Sequence, residues 1–281
     1  MNRSKWRNLK RELWSSKLGV AAVILLSLFT LGAVFAFLAP SDPNVMNVAE
    51  RLHSPSATHW FGTDDYGRDY FARALYGGRV SLMVGFASMV LATGIGVCIG
   101  VLSGYFGGRL DNLLMRLLEI FLSIPSFLVL LLLSVYLKPS VGNIIMIIAF
   151  LMWMNIARVV RAETMTLKER EYVLYAKASG QGSWGIIRKH IVPNLVPVII
   201  VGATNNVASA IMMESSLSFL GFGVQPPNAT WGSMLNNAQG FIAQAPYLAI
   251  FPGLLILLTV LSFNVLGDML RVGMEPRLTK R

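Results

Sequence analysis

The sequence predicts an all-α membrane protein with six transmembrane helices and a helical cytoplasmic loop. Three observations carry that prediction. Of 281 residues, 54% are hydrophobic and only 14% are charged, whereas a soluble domain carries roughly 25% charge. Long runs free of Asp, Glu, Lys and Arg recur along the chain, each near the 20 or so residues that cross a bilayer. The basic residues behind the net charge of +10 flank those runs. Such low charge excludes disorder and leaves too few charges to coat a soluble globule.

The first run covers residues 18–41. Its apolar stretch exceeds the roughly 7–15 residues of a signal peptide, and no small-x-small cleavage site follows. The second run, 80–108, carries Gly96, Gly100 and Gly104 at four-residue spacing, a side-chain-free face against which another helix can pack closely. Asp111 is expected to cap an amphipathic stretch over 112–122, with Arg116 and Glu119 on its polar side, lying at the inner interface before Pro125 starts the third span. That span is 120–137, and Lys138 separates it from the fourth, 139–157. The fifth, 190–213, carries Thr204, Asn205, Asn206 and Ser209. Polar side chains in lipid are costly unless they face protein or water. Asn205, Asn206 and Ser209 are therefore candidates to line a translocation path, the alternative being hydrogen bonds to a neighbouring helix.

Residues 215–267 form one charge-free run, too long for a single span and broken by Gln225, Pro226, Pro227, Asn228, Asn236 and Asn237. Its end, 248–267, reads as the sixth span. Its beginning reads as a partly re-entrant outer lid in which Thr230 caps a short helix from Trp231. Glu214 is expected to end the fifth span near the outer face, poised for an ion pair with a loop arginine or for a docking partner. The organisation is then a cytoplasmic segment 1–17, a first helix and extracytoplasmic loop 18–79, a five-span core 80–270 and a tail 271–281. The single Cys98 lies inside the second run and excludes an intrachain disulfide.

Six spans put both termini on one side, and Lys and Arg placement names it. The N-terminal segment carries Arg3, Lys5, Arg7, Lys10, Arg11 and Lys17. The second-to-third connection carries Arg109 and Arg116, and the fourth-to-fifth carries Arg158, Arg161, Lys168, Arg170, Lys177, Arg188 and Lys189. With Arg271, Arg277, Lys280 and Arg281, that side holds 19 of the 24 basic residues, against Arg51, Arg68, Arg73, Arg79 and Lys138 on the other. Both termini are expected in the cytoplasm. Nucleic-acid binding is a poor explanation of the charge, because no basic groove with interleaved aromatics is evident.

The cytoplasmic loop 158–194 is long for a connection within a bundle. Its first part reads as a short helix with Tyr172, Tyr175, Ala176 and Ser179 on one face, stopped by Gly180 in a left-handed conformation. Ser183 is expected to cap a second short helix that Pro193 disturbs. A helix with small residues on one face and a glycine stop can lie in a partner's groove.

This stretch resembles the cytoplasmic "EAA" loop of ABC-importer permeases, a pattern of Glu-Ala-Ala, three residues, Gly, nine residues and Ile-x-Leu-Pro. The chain matches at Ala176, Gly180 and Pro193 and departs at Leu174, Tyr175, His190 and Val192. Two further stretches resemble the peptide/nickel/opine permeases. One is His59-Trp-Phe-Gly-Thr-Asp64-Asp-Tyr-Gly-Arg68-Asp69 with Tyr76-Gly-Gly-Arg79 after it. The other is Leu217-Ser-Phe-Leu-Gly221-Phe-Gly-Val-Gln-Pro226-Pro227 with Trp231-Gly232. The likeness runs from about residue 18 to 277 and is greatest to the "C"-type subunits of dipeptide and oligopeptide permeases.

The resemblance implies a type I ABC importer fold and a coupling helix carrying Glu171, Tyr172, Leu174, Tyr175, Ala176 and Gly180, with Pro193 closing the pattern. It also implies a second homologous permease, two cytoplasmic ATPases that hold ATP and Mg, and an extracytoplasmic binding protein. Delivery would be at the outer face, where Asp64, Arg68, Asp69, Glu214 and Trp231 are candidates for a gate or a binding-protein contact. Peptides are the implied substrate. Nickel, a metallophore or glutathione is the alternative within the family, and a stand-alone secondary transporter is the alternative outside it.

The residues themselves admit blander readings. Asp64, Asp65, Arg68 and Asp69, with Gly62 and Gly67 for tight turns, read as a salt-bridged local fold that closes the outer face. Their spacing is no firm ligand pattern, so no metal is expected. His59, Asp64 and Ser81 form a triad on paper with nothing to orient it, so no catalytic residue is assigned. No Gly-x-x-x-x-Gly-Lys-Ser/Thr phosphate loop occurs, and no cofactor is expected in the chain. Glu214 alone is a candidate coupling acid, which fits a secondary transporter badly, and neither nucleophile nor metal ligands support an intramembrane enzyme. A transporter without its own energy source needs a partner, and the cytoplasmic loop offers it a place.

Overall fold

A computed structural model describes residues 16–274. Arg3, Lys5, Arg7, Lys10, Arg11, Arg277, Lys280 and Arg281, and with them most of the N-terminal segment and of the tail, lie outside the described residues. Among the described residues the architecture is helical: α1 Lys17–Val34, α2 Tyr70–Phe106, α3 Gly108–Leu122, α4 Ser126–Tyr136, α5 Val141–Lys168, α6 Glu171–Ala178, α7 Ser183–Ile186, α8 Val192–Phe219, α9 Trp231–Ala238 and α10 Tyr247–Met274. Five continuous helical stretches are long and apolar enough to cross a membrane. The expected third span is instead a bent pair, α3 and α4, meeting at 81°. Pro125 is responsible. It has no amide hydrogen and pushes the preceding residue out of helical geometry, so α3 ends at Leu122 and α4 restarts at Ser126. With only 11 residues, about 16 Å of helix, α4 is too short to span alone.

Several boundaries differ from the sequence reading. The second span begins ten residues early, because the Asp69 side chain accepts the Ala72 amide at 2.8 Å and caps α2. Arg73 and Arg79 therefore sit on the helix, not in the outer loop. Arg79 donates to the Ala33 and Val34 carbonyls at 3.1 and 2.9 Å, satisfying the C-terminal end of α1 and complementing its dipole. Asp111 does not cap α3. Gly107 holds that position at φ +64°, and Asp111 lies buried inside the first turn. α5 continues eleven residues past 157 and so projects beyond the apolar layer. Pro193 does not break the fifth span, because a π-helical turn over Ile187–Ile191 absorbs the missing donor, and α7 leads through it into α8. Ser183 opens α7 without capping it; the N-cap is Gly182.

α2 and α5 make the most extensive helix–helix contact, and the glycine face explains it. A Cβ built on Gly96, Gly100 or Gly104 would lie 2.7 Å from the carbonyls of Trp153, Ala157 and Arg161, respectively. The two backbones are in direct contact over two turns. Around that seam Val84, Val101, Ile148, Met152, Ile156 and Val160 form the central core. α5 is the most enclosed helix and α1 the least, with 56% and 17% of their most apolar stretches buried. Leu18, Ile24, Leu28 and Leu31 of α1 are exposed, as lipid-facing residues should be.

The seam makes a stability prediction. Gly100→Leu should destabilise the detergent-solubilised chain by about 1–3 kcal/mol, read as a lower melting temperature. Gly94→Ala, on the same helix but with no neighbour within 4 Å, should not lower the melting temperature, because alanine is the better helix former; an equal loss in both variants would refute the seam.

Candidate functional site

Three polar clusters lie on this scaffold. The first folds the outer loop. Asp64 Oδ2 accepts from Arg68 Nε at 2.7 Å and lies 3.4 Å from Arg73 Nε, while Asp64 Oδ1 accepts the Tyr66 and Arg68 amides at 2.9 and 3.0 Å. Gly62 and Gly67 take φ +76° and +71°, and a Cβ on Gly67 would meet the Asn47 carbonyl. The expected salt-bridged fold is present. Two tyrosines pin it to the helices: Tyr70 donates to the Leu248 carbonyl at 2.6 Å, and Tyr247 bridges the His53 and Thr63 carbonyls. Asp64, Arg68 and Asp69 are themselves buried. They organise the outer surface and do not present their charges to it.

His59, Asp64 and Ser81 do not assemble. His59 Nδ1 pairs with Asp69 at 2.7 Å, and its Nε2 lies 3.4 Å from Glu50, while Ser81 is engaged elsewhere. Among the described residues no group of three or more His, Cys, Asp or Glu is placed to hold a metal ion. The Asp69 hydrogen bond, opposed by partial burial and aided by Glu50, holds the His59 imidazole above its ordinary pKa.

The second cluster surrounds Glu214. It does not end the fifth span at a surface, as expected, because α8 continues to Phe219 and encloses it completely. Among the described residues no arginine pairs with it. Ser81 Oγ of α2 donates at 3.0 Å and Ser218 Oγ at 2.7 Å. The Trp231 amide donates to Ser81 Oγ at 3.3 Å, and the Trp231 indole donates to the Ala74 carbonyl at 2.9 Å. Trp231 is also buried, so neither side chain is exposed for direct contact with an outer partner. Together they fasten the outer segment, in which Thr230 and Ser233 form a reciprocal capping box on α9. The sequence reading missed Ser81 and Ser218 as the partners of Glu214. The signal was Ser218, one helical turn after Glu214 and on its face.

The third cluster lies at the opposite end. Arg161 of α5 grips Asp111 of α3 with both prongs, Nε at 2.5 Å and Nη2 at 2.6 Å, and Ser103 also donates to Asp111. Such a fork fixes orientation as well as distance. Seven residues beyond Arg161 α5 ends, and α6 begins at Glu171. α6 closes in a Schellman turn: Gln181 N–H to Ala176 O and Gly180 N–H to Lys177 O, both 3.1 Å, with Gly180 at φ +82°. Its inner face is Val173 and Ala176, packed with Ile186, Ile187, Ile191 and Leu195. Glu171, Tyr172, Leu174 and Tyr175 are exposed, Tyr175 at 77%. The expected face is thus split, because Ala176 points into the chain while the tyrosines point away. Pro193 enters α8 beside Asn194, which donates to the His190 carbonyl at 2.7 Å.

Asn205 and Ser209 are exposed on α8, and Ser209 Oγ donates to the Asn205 carbonyl at 3.2 Å. Asn205 Oδ1 crowds Gly267 of α10, where a Cβ would sit 2.2 Å away. Asn206 is half-buried with an unpartnered Nδ2.

Comparison with known proteins bears on the chain as a whole. Residues 96–280 match the family model "binding-protein-dependent transport system inner membrane component". The chain is 41% identical over 276 residues to a dipeptide transport system permease protein of Alkalihalophilus pseudofirmus, covering 98% of this chain and 91% of that one. It is 42% identical to the dipeptide transport system permease of Bacillus subtilis, covering 98% and 85%. It is 39% identical to the oligopeptide transport system permease of the same organism, covering 99% and 91%.

The raised His59 pKa sets a pH dependence. A pairing that favours the protonated imidazole stabilises the outer loop fully below the ordinary histidine pKa and is lost as pH rises through the raised one. Proteolytic nicking of residues 47–62 should therefore accelerate in the native chain as pH rises through that raised pKa. His59→Asn should show no such step; a step that persists would exclude His59 as its source.

Proposed function

The chain belongs to the family of binding-protein-dependent transport system inner membrane components, and from that premise we propose that it forms half of the path by which di- and oligopeptides enter the cell. It is the permease of an ATP-binding-cassette importer, a multi-pass inner-membrane component and not an enzyme. The relatives above are named for dipeptide and oligopeptide transport. Their identities of 41%, 42% and 39%, against 37% to a glutathione transport system permease protein of Pectobacterium atrosepticum, are the observation that supports peptides over the alternatives. Importers of this family work with an ATPase and a binding protein. The finer assembly is our reading: a heterodimer with a second homologous permease, two cytoplasmic ATPases holding ATP and Mg, and no cofactor in this chain. Both termini lie in the cytoplasm, as the basic residues of 158–194 and the positive-inside rule support.

In this reading α6 is the coupling helix. Its exposed Glu171, Tyr172, Leu174 and Tyr175 meet the ATPase, and its buried Val173 and Ala176 carry the displacement into α5 and α8. Asn205, Asn206 and Ser209 are proposed for the path, supported by two exposed polar side chains at membrane depth and one buried unpartnered donor. Asp64, Arg68, Asp69, Glu214 and Trp231 are proposed to shape the outer gate from within.

Uptake of a labelled dipeptide by cells carrying the whole importer should vanish on deletion of this chain, while nickel and glutathione uptake persist; the reverse pattern would reassign the substrate. Gly180→Pro cannot reach φ +82°, and it should abolish uptake and weaken ATPase association while the chain still inserts. Unimpaired uptake in that variant would remove α6 from the coupling role.

A further inference from the structure

An open cavity of about 610 Å³ lies not between the spans but beneath α3, between that helix and α5. Asn112, Arg116 and Glu119 line it from α3, and Arg158 and Arg161 from α5. We propose that this cavity binds the phosphate headgroup of an anionic phospholipid in the leaflet next to the coupling helix.

Four observations converge on it. Three guanidinium groups face one space against two nearby carboxylates, which leaves the set with a net positive charge. Asp111 is committed to Nε and Nη2 of Arg161. Glu119 meets Arg116 only at 3.4 Å, with both side chains mostly in solvent, 64% and 82% exposed. An exposed pair of that kind contributes little and yields readily to a phosphate. Arg158 has no salt bridge among the described residues. Second, the 81° bend lays α3 across α4 and not in line with it, the attitude of a helix lying in the interface. Third, the edge of α3 beside the cavity is apolar and uncovered: Leu113, Leu117 and Ile120 are all exposed, so acyl chains have a surface to lie on next to the headgroup. Fourth, the site is held in shape. The Asp111 fork fixes Arg161, and Gly104 brings α2 against the Arg161 carbonyl. Basic pockets between spans on the side rich in Lys and Arg suit acidic lipids. The inference stands apart from the choice of transported substrate.

The test uses the purified full-length chain in neutral detergent micelles doped with phosphatidylglycerol or phosphatidylcholine, with bound lipid counted by native mass spectrometry. The native chain should retain phosphatidylglycerol in preference. Arg116→Gln with Arg158→Gln should weaken that retention roughly 30-fold, about fivefold for each charge removed near a lipid surface. Both arginines are exposed, so the melting temperature should hold and report intact folding. Lys138→Gln, at the other end of α5, should retain lipid normally. Equal retention of the two lipids, or unchanged retention in the double variant, overturns the proposal. Inorganic phosphate supplies the remaining arm. If it shields the arginines from phenylglyoxal and phosphatidylglycerol does not, the cavity takes free phosphate and the lipid assignment fails. A double variant that keeps its lipid but sheds a co-purifying ATPase marks a protein interface and overturns it equally.

Discussion

Backbone contact between α2 and α5 is the constraint on which the rest depends. Gly96, Gly100 and Gly104 each set their helix against a carbonyl of α5, a separation that any side chain would forbid. In lipid there is little hydrophobic drive to bring helices together, so close van der Waals packing of small residues has to supply it. The consequence reaches past packing. The last contact, Gly104 on Arg161, places Ser103 and the start of α3 where Asp111 can take the guanidinium on both prongs. The direction in which α5 leaves the bilayer is thereby set, and with it the origin of α6. One run of glycines positions the end of the bundle from which α6 departs.

The two ends of the bundle solve the same electrostatic problem differently. At the end that carries α6 the buried Asp111 is matched by a full opposite charge. Near the opposite end Glu214 is matched only by hydroxyl donors from α2 and its own helix. A buried polar group left without partners costs about 1–3 kcal/mol, so the donors around Glu214 are a requirement of its burial and not an ornament. They also bind three segments into one unit, since Ser81 receives the Trp231 amide while it donates to the carboxylate. The outer segment 220–246 thus hangs from the bundle by a hydroxyl network that closes in one geometry, whereas the outer loop is held by arginine–carboxylate pairs.

Much of this was legible in the residues, and the failures share a cause. Apolar runs located the spans, because burial in lipid needs length and low charge, and both are visible in one dimension. Gly180 and Thr230 were readable because caps are local: a left-handed stop and a side-chain oxygen act within three or four residues. The glycine face was readable because helical period maps four-residue spacing onto one side. What escaped was whatever depends on a distant partner. Nothing near residue 111 announces Arg161, fifty positions away, so Asp111 was read as a cap. Nothing near Glu214 announces Ser81 on another helix. The start of α2 was misplaced because charge was taken as the mark of a loop, yet Arg73 and Arg79 are accommodated on a helix by Asp64 and by the carbonyls that end α1. Pro125 and Pro193 show the same limit. Both are prolines in apolar runs, yet one yields an 81° bend and the other a π-turn, and the difference lies in what packs around each.

The split face of α6 bears on how force would pass through the proposed coupling. A helix that only touched a partner would move alone when the partner moved. α6 instead buries Val173 and Ala176 against Ile187 and Ile191, the residues of the π-turn, and Asn194 just beyond lies 3.5 Å from the Tyr172 hydroxyl. A π-turn is wider than an α-turn and holds its hydrogen bonds less favourably, so it is the compliant point between α6 and the long rigid α8. A push on the exposed tyrosines would arrive first where the helix can rewind. The α5 side offers no such compliance, because the Asp111 fork and the glycine seam lock it to α2 and α3. One flank of α6 is braced and the other yields. That asymmetry would convert a displacement of α6 into rotation of α8 relative to α5, carrying Asn205 and Ser209 with it.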